Sequence, residues 1–280
     1  MKRKLSQAEQ FLADFHNANA GLTARALGAL PVERNGQFFE SSYACLAQVV
    51  TTGASAFTVL DLACGDGLLL SLLAGRHQAG LSLIGIDLSQ AELSAAAARR
   101  LGPGVALHQA MAQRLPLPDA SVDCVLCHLA LMLMDEVEEA ISGVRRVLKP
   151  GAVFSAVVGT RPPPSAAFDA YVSLLAEFPR RAEFQSLSFG DPRVRTPQGI
   201  AELLGGSFKD VRVEDLLIQR RCTPAAMWSW FCDMYDLHLL SPQDRSDMQR
   251  RYIATLTPRC GPDEKLAHVE RLRQITAATA

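Results

Sequence analysis

The chain carries almost no net charge, few aromatic rings and no long apolar run. Its 28 basic and 29 acidic residues leave a formal charge of −1, so no global field steers it toward nucleic acid or an anionic membrane surface. The local pair Arg220-Arg221 in "IQRRC" reads as a solvated strand end. Aromatic residues make up 6% of the sequence, too few for the basic, aromatic-rich module that grips RNA. No stretch approaches the length of a membrane span. The opening "MKRKLSQAEQFLADFH" starts basic, but Gln7, Glu9, Gln10 and Asp14 interrupt any apolar core. No signal peptide and no membrane association are therefore expected. The expected location is cytoplasmic, where seven cysteines stand as reduced thiols.

Three further absences narrow the chemistry. Cys124-x-x-Cys127-His128 ("CVLCH") matches a haem-attachment pattern and half of a zinc site. No second Cys-x-x-Cys completes it, and on a strand two residues three apart point to opposite faces. No metal is expected. A phosphate-binding Gly-Lys-Ser/Thr is missing. So is the third glycine of a dinucleotide fingerprint: counted from Gly65 and Gly67 that position is Leu70, and counted two residues earlier the first position is Ala63.

What is present is an alternation. The first 50 or so residues read as helices, with a Ser6/Glu9 capping box, a stop at Gly21, a Thr23 cap for a second helix and "FFESSYACLAQVV" as a third. Then "FTVLDLACGDGLLLSLLAG" and "LSLIGIDLSQAELSAAAARRLG" each run strand, turn, helix, the second with Ser89 and Glu92 as a capping box and Gly102 as the stop. "SVDCVLCHLALML", the helix "DEVEEAISGVRRVLKPG" and the strand "AVFSAVVGT" follow. This spacing predicts an α/β, doubly wound, mostly parallel sheet. Residues 161–207 interrupt it with helices, one capped at Thr196-Pro197. "FKDVRVEDLLIQ" resumes as a strand and Thr223-Pro224 opens a helix through "AAMWSWFCDMYDLHLL". "SPQDRSDMQRRYIATL" reads as a further helix and "RLRQITA" as a last edge strand. One domain over 1–280 is expected. Its parts are a helical cap (1–52), a core (53–160), a helical insertion (161–207) and C-terminal strands and helices (208–280).

In "VLDLACGDGLL" a strand ends at Asp61 and the chain turns through Gly65 and Gly67 into a helix. Glycine there lets backbone approach a ligand. Asp87 ends the next strand in "IGIDLS", and both strand ends open onto one crevice at the switch point of such a sheet. An acidic group in that place accepts hydrogen bonds from a ribose diol, so the crevice should hold a nucleoside. Asp61 and Asp66 would repel a pyrophosphate. They suit a nucleoside bearing an ammonium and a sulfonium, which is S-adenosylmethionine.

These motifs resemble class I S-adenosylmethionine-dependent methyltransferases of the ubiquinone/menaquinone-type methylase group. "LDLACGDG" is similar to that family's first motif, "GIDLS" to its second, "AQRLPLPDASVDCVLCHLALML" to its loop and fourth strand, and "RRVLKPGA" to the segment entering strand five. The resemblance covers residues 57–160 well and implies a Rossmann-like methyltransferase fold. It also implies that Asp61, Ala63 and Gly65 line the methionine end, with Gly67 opening the helix. Asp87 would hold the ribose, Leu88 would pack on adenine, and Met111 and Ala112 would border it. The family often places an acidic residue near the adenine amino group; this chain has Met111-Ala112-Gln113 there. His128, at the end of the fourth strand, either contacts the methionine tail or takes a proton from the acceptor.

The expected reaction is methyl transfer to a small organic acceptor, at oxygen or carbon, in secondary or cofactor metabolism. Tyr43, His16, Trp228 and Arg161 are candidate acceptor contacts. Trp228, Phe231 and Tyr235 sit at helical spacing that serves either a core or an aromatic wall. A monomer or homodimer is expected. Two alternatives stand beside this: a tRNA or other nucleic-acid methyltransferase, and a protein that binds S-adenosylmethionine without turnover.

Overall fold

A computed structural model describes residues 4–51 and 56–279; the expected cap–core boundary at 52–53 lies outside the described residues. The chain opens with helices α1 (Gln7–Ala18) and α2 (Leu22–Leu27), strands β1 (Val32–Arg34) and β2 (Gln37–Phe39), and α3 (Ser42–Ala47). It continues as β3 (Phe57–Leu62), α4 (Leu68–Ala74), β4 (Leu81–Asp87), α5 (Gln90–Ala98), β5 (Val105–Gln109) and β6 (Val122–His128). Then come α6 (Val137–Val147), β7 (Leu148–Gly159), α7 (Ala166–Leu175), α8 (Pro197–Leu204) and β8 (Phe208–Cys222). Helices α9 (Pro224–Phe231), α10 (Tyr235–His238) and α11 (Pro242–Leu256) precede the last strand, β9 (Leu266–Thr279).

The sheet order is β2-β1-β8-β9-β7-β6-β3-β4-β5. Strands β7, β6, β3, β4 and β5 pair in parallel, and β9 pairs antiparallel with β7. The five parallel strands start at their middle member β3, run outward through β4 and β5, then return to β6 and β7 on the other side. The expected doubly wound sheet is therefore present, with its switch point between β3 and β6. Apolar strands such as Val59–Leu62 and Cys124–Cys127 are buried because helices cover both faces.

Several local expectations change. Asn35-Gly36 takes positive φ at both residues (51° and 82°), which closes the β1–β2 hairpin in the twist that strands favour. Phe38 and Phe39 thus belong to a strand, and the third helix starts only at Ser42, capped by Ser41. The Ser6/Glu9 capping box is made. Gly21, at φ 75°, is the N-cap of α2, in place of Thr23. Thr196 and Thr223 cap α8 and α9 as expected. Strand β9 is not an edge: it lies between β8 and β7, and the alternating burial of Leu266, His268, Glu270 and Leu272 is that of a paired interior strand.

Two compact units result. One holds Met1–Thr160, Ser188–Leu216 and Leu272–Ala280; the other holds Arg161–Leu187 and Leu217–Arg271. Residues 161–207, read from sequence as one insertion, are divided between them. The first unit's core joins Leu60, Leu62, Val125 and Phe154 with Ile141 and Val144 of α6. The second packs Tyr171, Trp228, Phe231 and Tyr252 together, with the Tyr171 and Phe231 rings stacked at 4.2 Å.

Candidate active site at the switch point

Strand β3 delivers Asp61 to the carboxyl end of the sheet, where the residue is 1% exposed. Its Oδ2 has no hydrogen-bond partner among the described residues. Burial pushes this carboxyl well above the usual range, and the charges of Asp87 and Asp66 push the same way. A buried carboxyl with an unpaired oxygen is costly, which makes Asp61 the candidate here for meeting a cationic group.

The turn after β3 is left-handed at Ala63 (φ 58°), Gly65 (φ 51°) and Gly67 (φ 75°). Gly65 N–H donates to Asp87 Oδ2 at 2.8 Å, and Ser89 N–H donates to Asp87 Oδ1 at 2.8 Å. Both oxygens of Asp87 are thereby oriented, and each keeps a lone pair for a further donor. Burial raises the Asp87 carboxyl, against those two bonds that lower it. A Cβ on Gly67 would stand 2.9 Å from Ala96 Cβ, so the glycine also sets how closely α4 approaches α5. Gly67→Ala is expected to cost about 1–3 kcal/mol, from the left-handed backbone and the crowding. Urea denaturation of the cofactor-free protein measures it.

Around this turn the structure adds residues that sequence reading left out. Glu92, on α5, is 2% exposed. It accepts the Gly21 N–H at 2.8 Å and lies 2.8 Å from His16 Nδ1. His16, expected as an acceptor contact, instead ties α1 to α5. Asn17 Oδ1 accepts from Ser89 Oγ at 2.8 Å. At the other end of α1, Gln113 Nε2 reaches Glu9 Oε1 (3.3 Å) and Asp135 O (2.6 Å). Helix α1 is thus fastened at both ends to the loops that rim the crevice. Glu92 was visible in sequence only as half of a capping box, and nothing local reveals a partner 71 or 76 residues away.

Beside Asp61, strand β6 delivers His128, which is 6% exposed. Its Nε2 is 2.9 Å from Ser42 Oγ, while Nδ1 is buried with no partner among the described residues. The Tyr43 ring stacks on the imidazole at 3.6 Å and 24°. Burial lowers the His128 pKa to about 3, so the ring is neutral at pH 7. Burial raises the Tyr43 hydroxyl, and Asp66, Asp61 and Glu92 add to it. Tyr43 and His128 are therefore brought together. Leu88, Met111 and Ala112 lie half-buried on the β4 and β5 side.

Two expected acceptor contacts fall elsewhere. Trp228 is 2% exposed and packs on Tyr252 at 5.5 Å; as core of the second unit it has no face left for a substrate. Tyr235 does not share its helix, because α9 ends at Phe231 and Tyr235 begins α10. Arg161 is exposed and belongs to the second unit. The "CVLCH" cysteines, Cys124 and Cys127, are buried in β6 as free thiols, each pushed up to about 12 by burial. Among the described residues no group of three or more His, Cys, Asp or Glu is placed to hold a metal, and no helix is long and apolar enough to cross a membrane.

Residues 60–156 match the family model described as a methyltransferase domain. In sequence this stretch is thus similar to a methyltransferase domain. Over 106 residues the chain is 38% identical to an uncharacterized methyltransferase of Synechocystis, covering 37% of this chain and 48% of that protein. Over 122 residues it is 36% identical to the ubiquinone/menaquinone biosynthesis C-methyltransferase of Citrobacter koseri, covering 41% and 48%. The chain thus spans about half the length of these curated relatives. In fold it is similar to phosphoethanolamine N-methyltransferase 2 of Haemonchus contortus, solved with phosphomonomethylethanolamine and S-adenosylhomocysteine. The TM-score is 0.58 at 16% identity, over 99% of this chain and 61% of that one. The matched stretch holds Asp61, the glycine turn, Asp87, Met111, Ala112 and His128, whereas His16, Ser42 and Tyr43 come from outside it.

Proposed function

We propose that the protein transfers a methyl group from S-adenosylmethionine to the oxygen or carbon of a small organic acceptor. The observation that carries this is the orphaned Asp61 Oδ2, buried in a crevice that also gathers Asp66, Asp87 and Glu92. Asp66 is ion-paired with Arg99 and Glu92 faces His16. The acidity left for a ligand is that of Asp61 and Asp87, which disfavours a phosphate and favours an ammonium and a sulfonium. Asp61 and the Ala63–Gly65 backbone would hold the methionine end and Asp87 the ribose hydroxyls. Leu88, Met111 and Ala112 would border the adenine without an acidic partner for its amino group. Bound S-adenosylmethionine supplies a methyl already activated by positive sulfur, so this chain's task is to place the nucleophile in line and exclude water.

His128 fits the acceptor side of that task. With Nε2–H given to Ser42 Oγ, Nδ1 presents a bare lone pair to an acceptor hydroxyl. An imidazole held near pKa 3 is a weak base, but a weak base suffices late in the reaction. Once the new bond to carbon forms, the hydroxyl or ring proton becomes strongly acidic and passes to Nδ1. The small-molecule class rests on the near-neutral charge of the chain and on the small ligand in the Haemonchus contortus structure.

A second reading, cofactor binding without turnover, draws on the Tyr43 ring, which covers His128 at 3.6 Å where an acceptor would arrive. One experiment separates the two. Native mass spectrometry of the purified chain, before and after incubation with S-adenosylmethionine and a pooled metabolite extract, is expected to show bound cofactor, its demethylated product and a methylated metabolite. Cofactor held but never consumed favours the second reading; no nucleoside bound overturns both.

A further inference from the structure

We propose that the second unit carries a separate binding site for a small aryl carboxylate. The site is a cavity of about 270 Å³ walled by Arg161, the proline run 162–164, Phe168, Asp169 and Arg271. All of these lie inside that unit, so the proposal does not depend on the methyl-transfer reading. Three consecutive prolines have no N–H to offer. Polar recognition therefore falls to two guanidiniums and one carboxylate, a net positive set that selects an anion. A guanidinium fork matches a carboxylate in planar, two-pronged fashion. Phe168 and the pyrrolidine rings supply apolar walls for a flat body, and Asp169 offers an acceptor to a ring hydroxyl. The volume lies just under the range of about 300–1,000 Å³ typical of ligand pockets, which suits a single ring.

The walls are held in place. Ser165, inside the lining segment, has its Oγ 2.9 Å from His268 Nδ1 and accepts the Phe168 N–H at 3.2 Å. His268 and Arg271 lie on the same strand, β9. This one hydroxyl thus ties the 161–169 wall to the strand that carries Arg271. Helix α7, ten residues long, is capped by Ser165, which sets the positive end of its dipole within the same segment.

The test is titration of the full chain with 4-hydroxybenzoate, by isothermal calorimetry and saturation-transfer NMR. Wild type is expected to bind. Arg271→Met and Arg161→Met should each weaken binding, the former by roughly tenfold or more, and uncharged 4-hydroxybenzyl alcohol should bind far more weakly. Circular dichroism melting shows whether each variant folds. Should Arg271→Met fail to fold, Arg161→Met, at an exposed position, carries the same reading. No binding to wild type, equal binding of the alcohol, or undiminished binding by the folded variants overturns the proposal.

Discussion

Asp61→Asn is expected to weaken S-adenosylmethionine binding by about 2–5 kcal/mol, the usual result of removing one partner from a buried charge pair. That is roughly thirty- to several-thousand-fold in Kd. The same change should raise the melting temperature of the cofactor-free protein, because it removes a buried carboxyl that has an unpaired oxygen. Opposite signs for binding and stability are the signature of a residue kept for its ligand. The pH dependence follows. Burial, with Asp87 and Asp66, raises the Asp61 carboxyl in the folded state. Above the ordinary carboxylate pKa the unfolded chain has therefore lost a proton that the folded chain keeps. Stability of the cofactor-free protein falls as pH rises from that value through the raised one, and the amide variant should show a shallower fall. Calorimetric titration and thermal melts across pH 4–8 (about the range where carboxylates and histidines titrate) measure all three. Unchanged affinity would remove Asp61 from the site.

His128→Ala is expected to lower kcat by about a hundredfold or more, the lower end of what a positioned proton acceptor contributes. Cofactor Kd should move by less than about tenfold if His128 serves the acceptor and not the methionine tail. With release of S-adenosylhomocysteine as readout, a fall in kcat matched by an equal loss of cofactor binding would assign His128 to the pocket wall. Because burial holds its pKa near 3, His128 is already neutral throughout the physiological range. It should produce no step in the kcat profile near pH 6.5. A step there that disappears in His128→Ala would show that the ring titrates normally during turnover. Loss of the ring also leaves the buried Tyr43 without its stacking partner, worth about 0.5–1.5 kcal/mol of stability.

The comparison of sequence with structure divides along contact range. Turn and cap chemistry was readable: Ser6, Ser89, Thr196 and Thr223 cap the helices they announce, because a cap involves only residues three apart. The strand–glycine–helix unit at Asp61–Leu68 was readable for the same reason. The Asn35-Gly36 hairpin is equally local, since that dipeptide favours the left-handed turn. Strand β5 leaves little trace in the sequence, because Val105–Gln109 is short and only partly buried. In sequence "RLRQITA" reads as an edge strand. Its polar residues, Arg273 and Gln274, hid an interior position, and both are buried. Arg273 is held by Asp215 Oδ1 at 3.0 Å and Arg195 O at 2.9 Å.

By itself, then, the sequence determined the crevice: its glycine turn, its acidic lining and its kinship with methyltransferases. Each of these is written in consecutive residues, and a parallel sheet of alternating strands and helices brings both strand ends to one place. Only the tertiary structure decided what surrounds it. Pairings across dozens of residues leave no periodic trace, so Glu92 with Gly21 and His16, Ser42 and Tyr43 with His128, and Ser165 with His268 became visible only once the chain had closed on itself. The same closure placed Trp228 in a core and Arg161 beside a cavity, because burial depends on the chain that packs against a helix as well as on the pattern along it.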